Sequence, residues 1–230
     1  MGIAENIERV QERISRACQR SGRAVEDVRL IAVSKTMPAE SIRQAHAAGL
    51  REFGENRVQE AASKCRELEN LDAVWHLIGH LQSNKAKQAC QLFDWIQSLD
   101  SLHLAERIDR SAAALGKKLP VLIEVHLGEE ASKFGVEEDD LVRLAEQVGA
   151  LPSLELRGLM TLPPFFEDPQ DVRPFFRRLR ELAGRIEARN LPGVSMRELS
   201  MGMSHDFEFA IEEGATIVRI GTAIFGERQR

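Results

Sequence analysis

The heptapeptide RLIAVSK at residues 29–35 is the most informative stretch for the fold of this chain. Its central residues, LIAV, are apolar and include two β-branched side chains, which is typical of a buried strand. A serine and a lysine end the stretch. Pro38 then opens a helical stretch that ends at Gly49, matching the preference for proline at helix starts and glycine at helix ends. The order predicts a strand followed by a helix.

The same alternation of strand and helix recurs along the chain, without a linker or a low-complexity tract. Strands are predicted at residues 29–35, 52–56, 74–79, 94–100, 119–127, 154–162, 196–202 and 217–221. Eight parallel strands with intervening helices close into a barrel, whereas a doubly wound sheet usually has about five or six strands and a glycine-rich first turn. We therefore expect one α/β domain over residues 1–230, a (β/α)8 barrel with an extra amphipathic helix at its N-terminus.

The composition of the 230-residue chain argues against several classes of partner. A net charge of −5 without runs of Lys or Arg disfavours nucleic acid. The three cysteines match neither a zinc knuckle nor a disulfide framework, and the six histidines show no metal-ligand spacing. With no signal peptide and no apolar run long enough to span a bilayer, we expect a soluble, cytoplasmic monomer without a metal.

Lys35 stands at the carboxyl end of the first predicted strand, where barrels of this type place their sites. Because side chains alternate along a strand, it shares a face with Ile31 and Val33, so its amine should project from an apolar wall into the barrel mouth. Burial lowers the pKa of a lysine, and only the unprotonated amine attacks a carbonyl carbon to form an imine. Position alone leaves open the alternative of a surface lysine.

Small and hydroxyl-bearing residues lie at the ends of the seventh and eighth predicted strands, where barrels commonly bind phosphate. They read SMGMS at 200–204 and GTAIFG at 221–226. Glycine lets backbone amides approach phosphate oxygens, Ser200 and Thr222 have hydroxyls that can donate, and a helical turn near Thr222 would aim its positive end inward. Each loop alone also fits ordinary turn chemistry, but the two together favour a phosphate site around Gly221.

Arg219 lies two residues before Gly221 and so shares its face of the eighth strand, pointing into the barrel. An inward arginine needs a partner. A pyridine nitrogen is one candidate, because a guanidinium donates but never accepts a proton and would hold that nitrogen unprotonated. A salt bridge to a barrel carboxylate such as Glu124 or Glu198 is an equally good interpretation at this point.

His76 alternates with Trp75 and Leu77 within a predicted buried strand. A core histidine with satisfied hydrogen bonds is the expected interpretation of this pattern. We assign His76 no role from the sequence.

Six segments, spread over nearly the whole chain, carry a family resemblance. They read AVSKT at 32–36, FGENRVQE at 53–60, WHLIGHLQSNK at 75–85, GLMT at 158–161, LSMGMS at 199–204 and RIGTAIFG at 219–226. In this order they closely resemble the pyridoxal phosphate homeostasis proteins, and their number makes the match far more specific than any one short motif. The resemblance implies the barrel of the alanine racemase N-terminal domain without a second domain.

The resemblance also implies a function and a set of site residues. It implies a protein that holds pyridoxal 5'-phosphate (PLP) as a Schiff base, takes part in intracellular PLP homeostasis and delivers the cofactor to PLP-dependent apoenzymes. Carried over by position, the cofactor-binding residues are Lys35 as the Schiff-base lysine, Ser200, Gly221 and Thr222 at the phosphate, Arg219 near the pyridine nitrogen, Asn56, His80 and Met160 in the pocket, and Lys133 as a second lysine that takes up or passes on the cofactor.

Two other functions compete with that of a carrier. A PLP-dependent amino-acid racemase of this barrel type generally needs a second base opposite the lysine, commonly a tyrosine from a further domain, and this sequence contains no tyrosine. An unprotonated pyridine nitrogen is also a poorer electron sink for a substrate carbanion. A scaffold for protein partners would leave Lys35 among phosphate loops unexplained. We therefore expect a carrier without a dedicated catalytic activity.

Overall fold

A computed structural model, which describes residues 2–128 and 134–226, shows a closed barrel of eight parallel strands in chain order. Each strand pairs with its sequence neighbour, and the last strand closes the barrel against the first. The strands are β1 (Arg29–Val33), β2 (Glu52–Glu55), β3 (Val74–Leu77), β4 (Trp95–Leu99), β5 (Leu119–Glu124), β6 (Leu154–Met160), β7 (Val194–Ser200) and β8 (Ile217–Ile220). The predicted fold is confirmed, and each predicted strand has its counterpart.

Helices follow the strands and surround the barrel. They are α1 (Ile3–Ser21), α2 (Ala39–Ala47), α3 (Val58–Glu67), α4 (Ala86–Leu92), α5 (Leu102–Ala113), α6 (Glu138–Gly149), α7 (Arg173–Glu187), α8 (Phe207–Glu212) and α9 (Thr222–Phe225), with 3-10 turns at Val25–Asp27, Ser83–Lys85 and Pro169–Val172. The predicted N-terminal helix is α1, which buries Ile7, Val10 and Ile14 and packs against α8 and α9. Within the described part of the chain, no helix is both long and apolar enough to cross a membrane.

The barrel interior holds an apolar cluster of its own. Ile31, Leu122, Met160 and Ile217 meet there, one from each of four strands, and each is fully buried. Strands that are buried on both faces read as continuous apolar runs, which explains why RLIAV and the strands like it are so apolar. Among the described residues, the interior is therefore a packed core, and a pocket opens at its mouth.

Several strands end earlier than the sequence predicts. β1 ends at Val33 because the chain turns there: the Met37 amide donates to the Ser34 carbonyl over 3.0 Å, and Thr36 has a left-handed φ of 66°. β6 ends at residue 160 and β7 at residue 200, each two residues before the predicted end. Residues predicted to be the last of a strand are thus the first of a loop, and these loops form the rim of the mouth.

Candidate functional site

A pocket of about 280 Å³ opens at the carboxyl ends of the strands. Its size lies near the lower end of small-molecule sites, roughly 300–1,000 Å³. The residues that line it are Val33, Lys35, Asn56, Ile78, Leu162, Met203, Ser204, His205, Arg219, Gly221 and Thr222. It therefore brings together five of the residues predicted from the sequence, namely Lys35, Asn56, Arg219, Gly221 and Thr222.

Lys35 enters the pocket from the turn after β1. The turn is fixed on one side by β2, because the Ser34 amide donates to the Gly54 carbonyl over 3.0 Å. On the other side, the Thr36 amide donates to the Glu60 carboxylate of α3. Lys35 is half-buried and shares the pocket wall with Val33, as the alternation of the first strand predicts.

A second lysine, Lys64 of α3, lies behind this turn and is almost fully buried. Its Nζ donates to the Ser34 carbonyl over 2.7 Å, to Glu55 Oε1 over 2.8 Å and to Glu60 Oε1 over 2.6 Å. The Ser34 hydroxyl also donates to Glu55 Oε1 over 2.6 Å. The backbone on either side of Lys35 is thus held by one buried ionic cluster, which the sequence did not reveal.

The carboxylates of this cluster respond differently to burial. Burial raises the pKa of Glu55 above its ordinary value, although the hydrogen bonds from Lys64 and Ser34 oppose the shift. Burial also acts to raise the pKa of Glu60, but hydrogen bonds from Lys64 and the Thr36 amide outweigh it, so that pKa lies below the ordinary value. Glu60 is therefore the ionised partner of Lys64 across the neutral range.

Arg219 forms the floor of the pocket and is only 2% exposed. One terminal nitrogen donates to the Ser200 hydroxyl over 2.5 Å and the other to the Thr161 carbonyl over 2.8 Å. Burial lowers the pKa of Arg219 to about 10, against the raising effect of Glu124 and Asp206, so the side chain stays cationic at neutral pH. The predicted inward orientation of Arg219 is confirmed.

The two carboxylates considered as ion-pair partners of Arg219 are engaged differently. Glu198 accepts a salt bridge from Arg29 over 2.8 Å and a hydrogen bond from Thr216 over 2.7 Å. Glu124 acts on Arg219 through its charge, while burial raises its own pKa to about 7. Arg219 is thus held mainly by neutral oxygen acceptors, and its edge toward the pocket is a strong donor.

Ser204, Gly221 and Thr222 lie together in the pocket wall. The Ser204 hydroxyl accepts from the Gly221 amide over 3.2 Å and from the Ala223 amide over 3.3 Å, which ties the loop after β7 to the start of α9. Gly221 has a φ of −113°, and a β-carbon built on it would meet nothing closer than the Val33 carbonyl at 3.4 Å. The chain itself therefore does not require glycine here, and the bare backbone leaves room for a ligand.

Ser200 does not line the pocket. It is fully buried, its hydroxyl donates to Gln97 Oε1 over 2.6 Å, and it accepts from Arg219. A serine hydroxyl has a single proton, so none is left for a phosphate. Because β7 ends at Ser200, the residue that reaches the pocket is Ser204, whose hydroxyl in the same SMGMS motif was the available sequence signal.

The other predicted site residues are dispersed. His80 lines an adjoining cavity of about 270 Å³, which shares Asn56 with the pocket, and its ring stacks on Phe134 at 3.6 Å between centroids. Met160 belongs to the apolar cluster inside the barrel rather than to the pocket wall. Lys133 lies outside the residues that the structure describes.

Comparison with known proteins gives matches along the entire chain. Residues 3–229 match the family model of the alanine racemase N-terminal domain. The chain is 50% identical over 229 residues to the pyridoxal phosphate homeostasis protein of Aquifex aeolicus, covering 100% of both chains. It is 48% identical to the protein of that name from Pseudomonas aeruginosa, over 98% of this chain and 96% of the relative.

Solved structures agree with this assignment. PipY of Synechococcus elongatus PCC7942, in a structure with PLP bound, superposes with a TM-score of 0.85 at 43% identity, over 97% of this chain and 100% of PipY. An alanine racemase of Clostridium difficile superposes with a TM-score of 0.73 at 13% identity over 57% of its own chain, which shows a shared fold alone. The resemblance seen in the sequence is confirmed: this chain belongs to the pyridoxal phosphate homeostasis protein family, with the barrel of the alanine racemase N-terminal domain.

Proposed function

We propose that this chain binds PLP reversibly at the barrel mouth, as a Schiff base on Lys35, and acts as a carrier in PLP homeostasis. The relatives bear the name of that function, and PipY has been solved with PLP bound. The observation that carries the proposal is that Lys35, Arg219, Gly221 and Thr222 line a single pocket of about 280 Å³. The pocket thus combines an amine, a buried cationic donor and a glycine whose backbone carries no side chain.

The residues present fit the three parts of this cofactor. The amine of Lys35 suits the aldehyde, and a guanidinium such as Arg219, which can only donate, suits the pyridine nitrogen. The space beside Gly221, with the hydroxyls of Ser204 and Thr222, suits the phosphate. When bound, the cofactor supplies an aldehyde that condenses with an amine and a ring that can withdraw electrons.

Arg219, the residue that suits the pyridine nitrogen, favours a carrier over a racemase. Arg219 holds a facing ring nitrogen unprotonated, because a guanidinium does not give up its proton at neutral pH, and such a ring withdraws electrons poorly. The sequence also contains no tyrosine to serve as a second base. We therefore propose that Lys35 holds the cofactor and releases it to apoenzymes, without a dedicated catalytic activity.

Absorption spectroscopy tests the binding proposal directly. PLP added to the purified chain should give a visible band that borohydride removes, with a stable adduct on the peptide that contains Lys35. Lys35→Ala should lose the band while keeping the circular dichroism of the wild type. An adduct that persists in this variant would move the attachment elsewhere, and Lys133 would be examined next. A wild-type protein that stays colourless would overturn the proposal.

Isotope exchange tests the distinction between carrier and racemase. The PLP-loaded chain is incubated with L-alanine or L-serine in heavy water, and α-deuteration is followed by NMR. We expect exchange many orders of magnitude slower than that of an alanine racemase assayed in parallel, because a second base is lacking. Rapid exchange with inversion would make the protein a racemase.

A further inference from the structure

A line of polar side chains crosses the barrel interior from the pocket to the opposite end. Arg219 donates to Ser200 over 2.5 Å, and Ser200 contacts Gln97 Oε1 at 2.6 Å. Gln97 Nε2 lies 3.1 Å from His76 Nδ1, and His76 Nε2 lies 2.9 Å from Glu52 Oε2 at the start of β2. The last contact lacks the alignment of a hydrogen bond and acts electrostatically. The first four residues are at most 2% exposed, so bulk solvent does not reach their polar atoms.

The two ends of this line fix the direction of every hydrogen bond in it. A guanidinium can only donate and an ionised carboxylate can only accept. Ser200, which accepts from Arg219, must therefore send its one proton to Gln97, whose oxygen faces it. The amide nitrogen of Gln97 then donates to His76 Nδ1, which leaves the proton of the imidazole on Nε2, facing Glu52. Reversing any link would set two lone pairs against each other or place a lone pair against a carboxylate.

The charges around His76 and Glu52 agree with this direction. Burial lowers the pKa of His76, and Arg29 lowers it further, while Glu52 and Asp94 oppose the shift, so the imidazole is neutral. Burial acts to raise the pKa of Glu52, but His76 and Arg29 outweigh it, so that pKa is lowered and the carboxylate is ionised. A neutral histidine with one fixed tautomer is what the line requires.

We infer that Gln97 and His76 are positioning residues, which act through Ser200 to hold the Arg219 guanidinium in place against the pyridine end of the cofactor. The inference rests on the proposed function. Because Gln97 takes the proton of Ser200, the lone pairs of that hydroxyl are turned toward Arg219, and the arginine edge that faces the pocket keeps one orientation. Without Gln97 the Ser200 hydroxyl is free to rotate, and the guanidinium loses a fixed acceptor.

Gln97→Met tests the inference, because methionine has a similar shape but is only a weak acceptor for Ser200 and cannot donate to His76. The ring nitrogen of PLP is labelled with ¹⁵N, and its NMR shift is followed with pH in the bound state. We expect the shift to move toward that of a protonated pyridine, with a loss of about tenfold in PLP affinity. Ile96→Val, a buried neighbour on β4, is the matched control and should leave both unchanged.

Gln97→Glu provides a second readout that needs no cofactor. A carboxylate at this position still accepts from Ser200 but cannot donate to His76 Nδ1, so the imidazole would stand between two carboxylates. NMR titration of the PLP-free protein should show the His76 pKa raised above that of the wild type, while Ile96→Val leaves it unchanged.

The outcomes separate the inference from the proposed function. A wild type that binds no PLP contradicts the proposed function and the inference with it. A wild type that binds PLP, with a pyridine signal that Gln97→Met does not alter, contradicts the inference alone, even if Gln97→Glu raises the His76 pKa.

Discussion

The turn that carries Lys35 shows how a reactive side chain is positioned by residues that never touch its ligand. Thr36 adopts a left-handed φ of 66°, which a β-branched residue rarely adopts without support. The support comes from Lys64, Glu55 and Glu60, whose hydrogen bonds hold Ser34 and Thr36 on either side of Lys35. The position of the Lys35 amine is thus set mainly by an ionic cluster on its far side.

Removing the buried cation of this cluster should be costly. Lys64→Met leaves Glu55, which is fully buried, without its ionic partner, and we expect a loss of about 3–5 kcal/mol in the free energy of unfolding. Urea denaturation measures it. Adding Glu55→Gln should restore part of the loss, because an amide has no charge to bury. The exposed Lys87→Met on α4 is the control and should change stability by at most about 0.5 kcal/mol. An equal effect of the two lysine substitutions would contradict the role given to the cluster.

The two serines of the SMGMS motif should have separable effects on ligand binding. A Ser204→Ala, Thr222→Ala double variant should bind PLP roughly a hundredfold more weakly, while its affinity for pyridoxal, which lacks the phosphate, stays close to that of the wild type. Ser200→Ala should weaken both ligands alike, since Ser200 acts on Arg219. Titration followed by absorption gives the affinities of the wild type and both variants for both ligands. A selective loss of phosphate binding in Ser200→Ala would return the phosphate role to Ser200.

The ends of the strands and the loops that follow them determine where the site residues lie. The apolar strands occur where the sequence predicts, but β1, β6 and β7 stop about two residues early, so Lys35 and Ser204 reach the pocket from loops. Loops accept backbone conformations that a strand does not, as at Thr36. Of the two serines in the SMGMS motif, Ser200 ends a strand and is buried, while Ser204 in the following loop lines the pocket.

Two glycines of the barrel, Gly158 in β6 and Gly221 directly after β8, should respond in opposite ways to an added methyl group. A β-carbon at Gly158, in β6, would overlap the Glu198 carbonyl of β7, so Gly158→Ala should destabilise the protein by at least about 2 kcal/mol. Gly221→Ala meets only ordinary contacts with Val33 and should leave the PLP-free protein near wild-type stability. It should nevertheless weaken PLP binding, because the methyl group would occupy space for the phosphate. Thermal unfolding and PLP titration of both variants check the contrast, and unchanged binding in Gly221→Ala would contradict the phosphate site.

Closure of the barrel brings residues from the two ends of the chain together. β8 pairs with β1 in a register that sets Ile31 beside Arg219, and this pairing carries Lys35 and Gly221 to the same pocket. The interior that results holds the apolar cluster beside the buried polar line, and it encloses Arg219 and Glu124 as ionisable groups. The cost of burying them is a property of the whole closed structure.

This cost predicts how the stability of the PLP-free protein depends on pH. Burial raises the pKa of Glu124 to about 7 from an ordinary value near 4.5, so the folded state holds a proton that the unfolded state releases. The stability due to this group is complete below pH 4.5 and is lost as the pH rises to about 7, by at most about 3 kcal/mol. Glu124→Gln should remove this decline in urea denaturation between pH 4.5 and 7.5. A parallel decline in the variant would assign it to other groups.

Much of the fold and part of the site could be predicted from the sequence. The apolar runs and their helical spacers predict eight strands, and strand alternation predicts that Lys35 and Arg219 point toward the mouth. These features follow from short-range periodicity, which depends only on residues close in sequence and not on the rest of the fold. The expectations for Gly221 and Thr222 at the pocket belong to the same group, since both lie at the end of the eighth predicted strand, whereas the expectation for Asn56 rests only on the family resemblance.

Contacts between distant elements could not be read in this way. Nothing near Ser200 in the sequence indicates that Gln97 takes its proton, and nothing near Lys35 indicates that Lys64 lies beneath its turn. His76, which the alternation of its strand presents as an ordinary core residue, gains its fixed tautomer from Gln97 and Glu52 only once the strands pair. Such contacts depend on register and on closure of the barrel, which bring side chains together across the interior, and no local pattern encodes them.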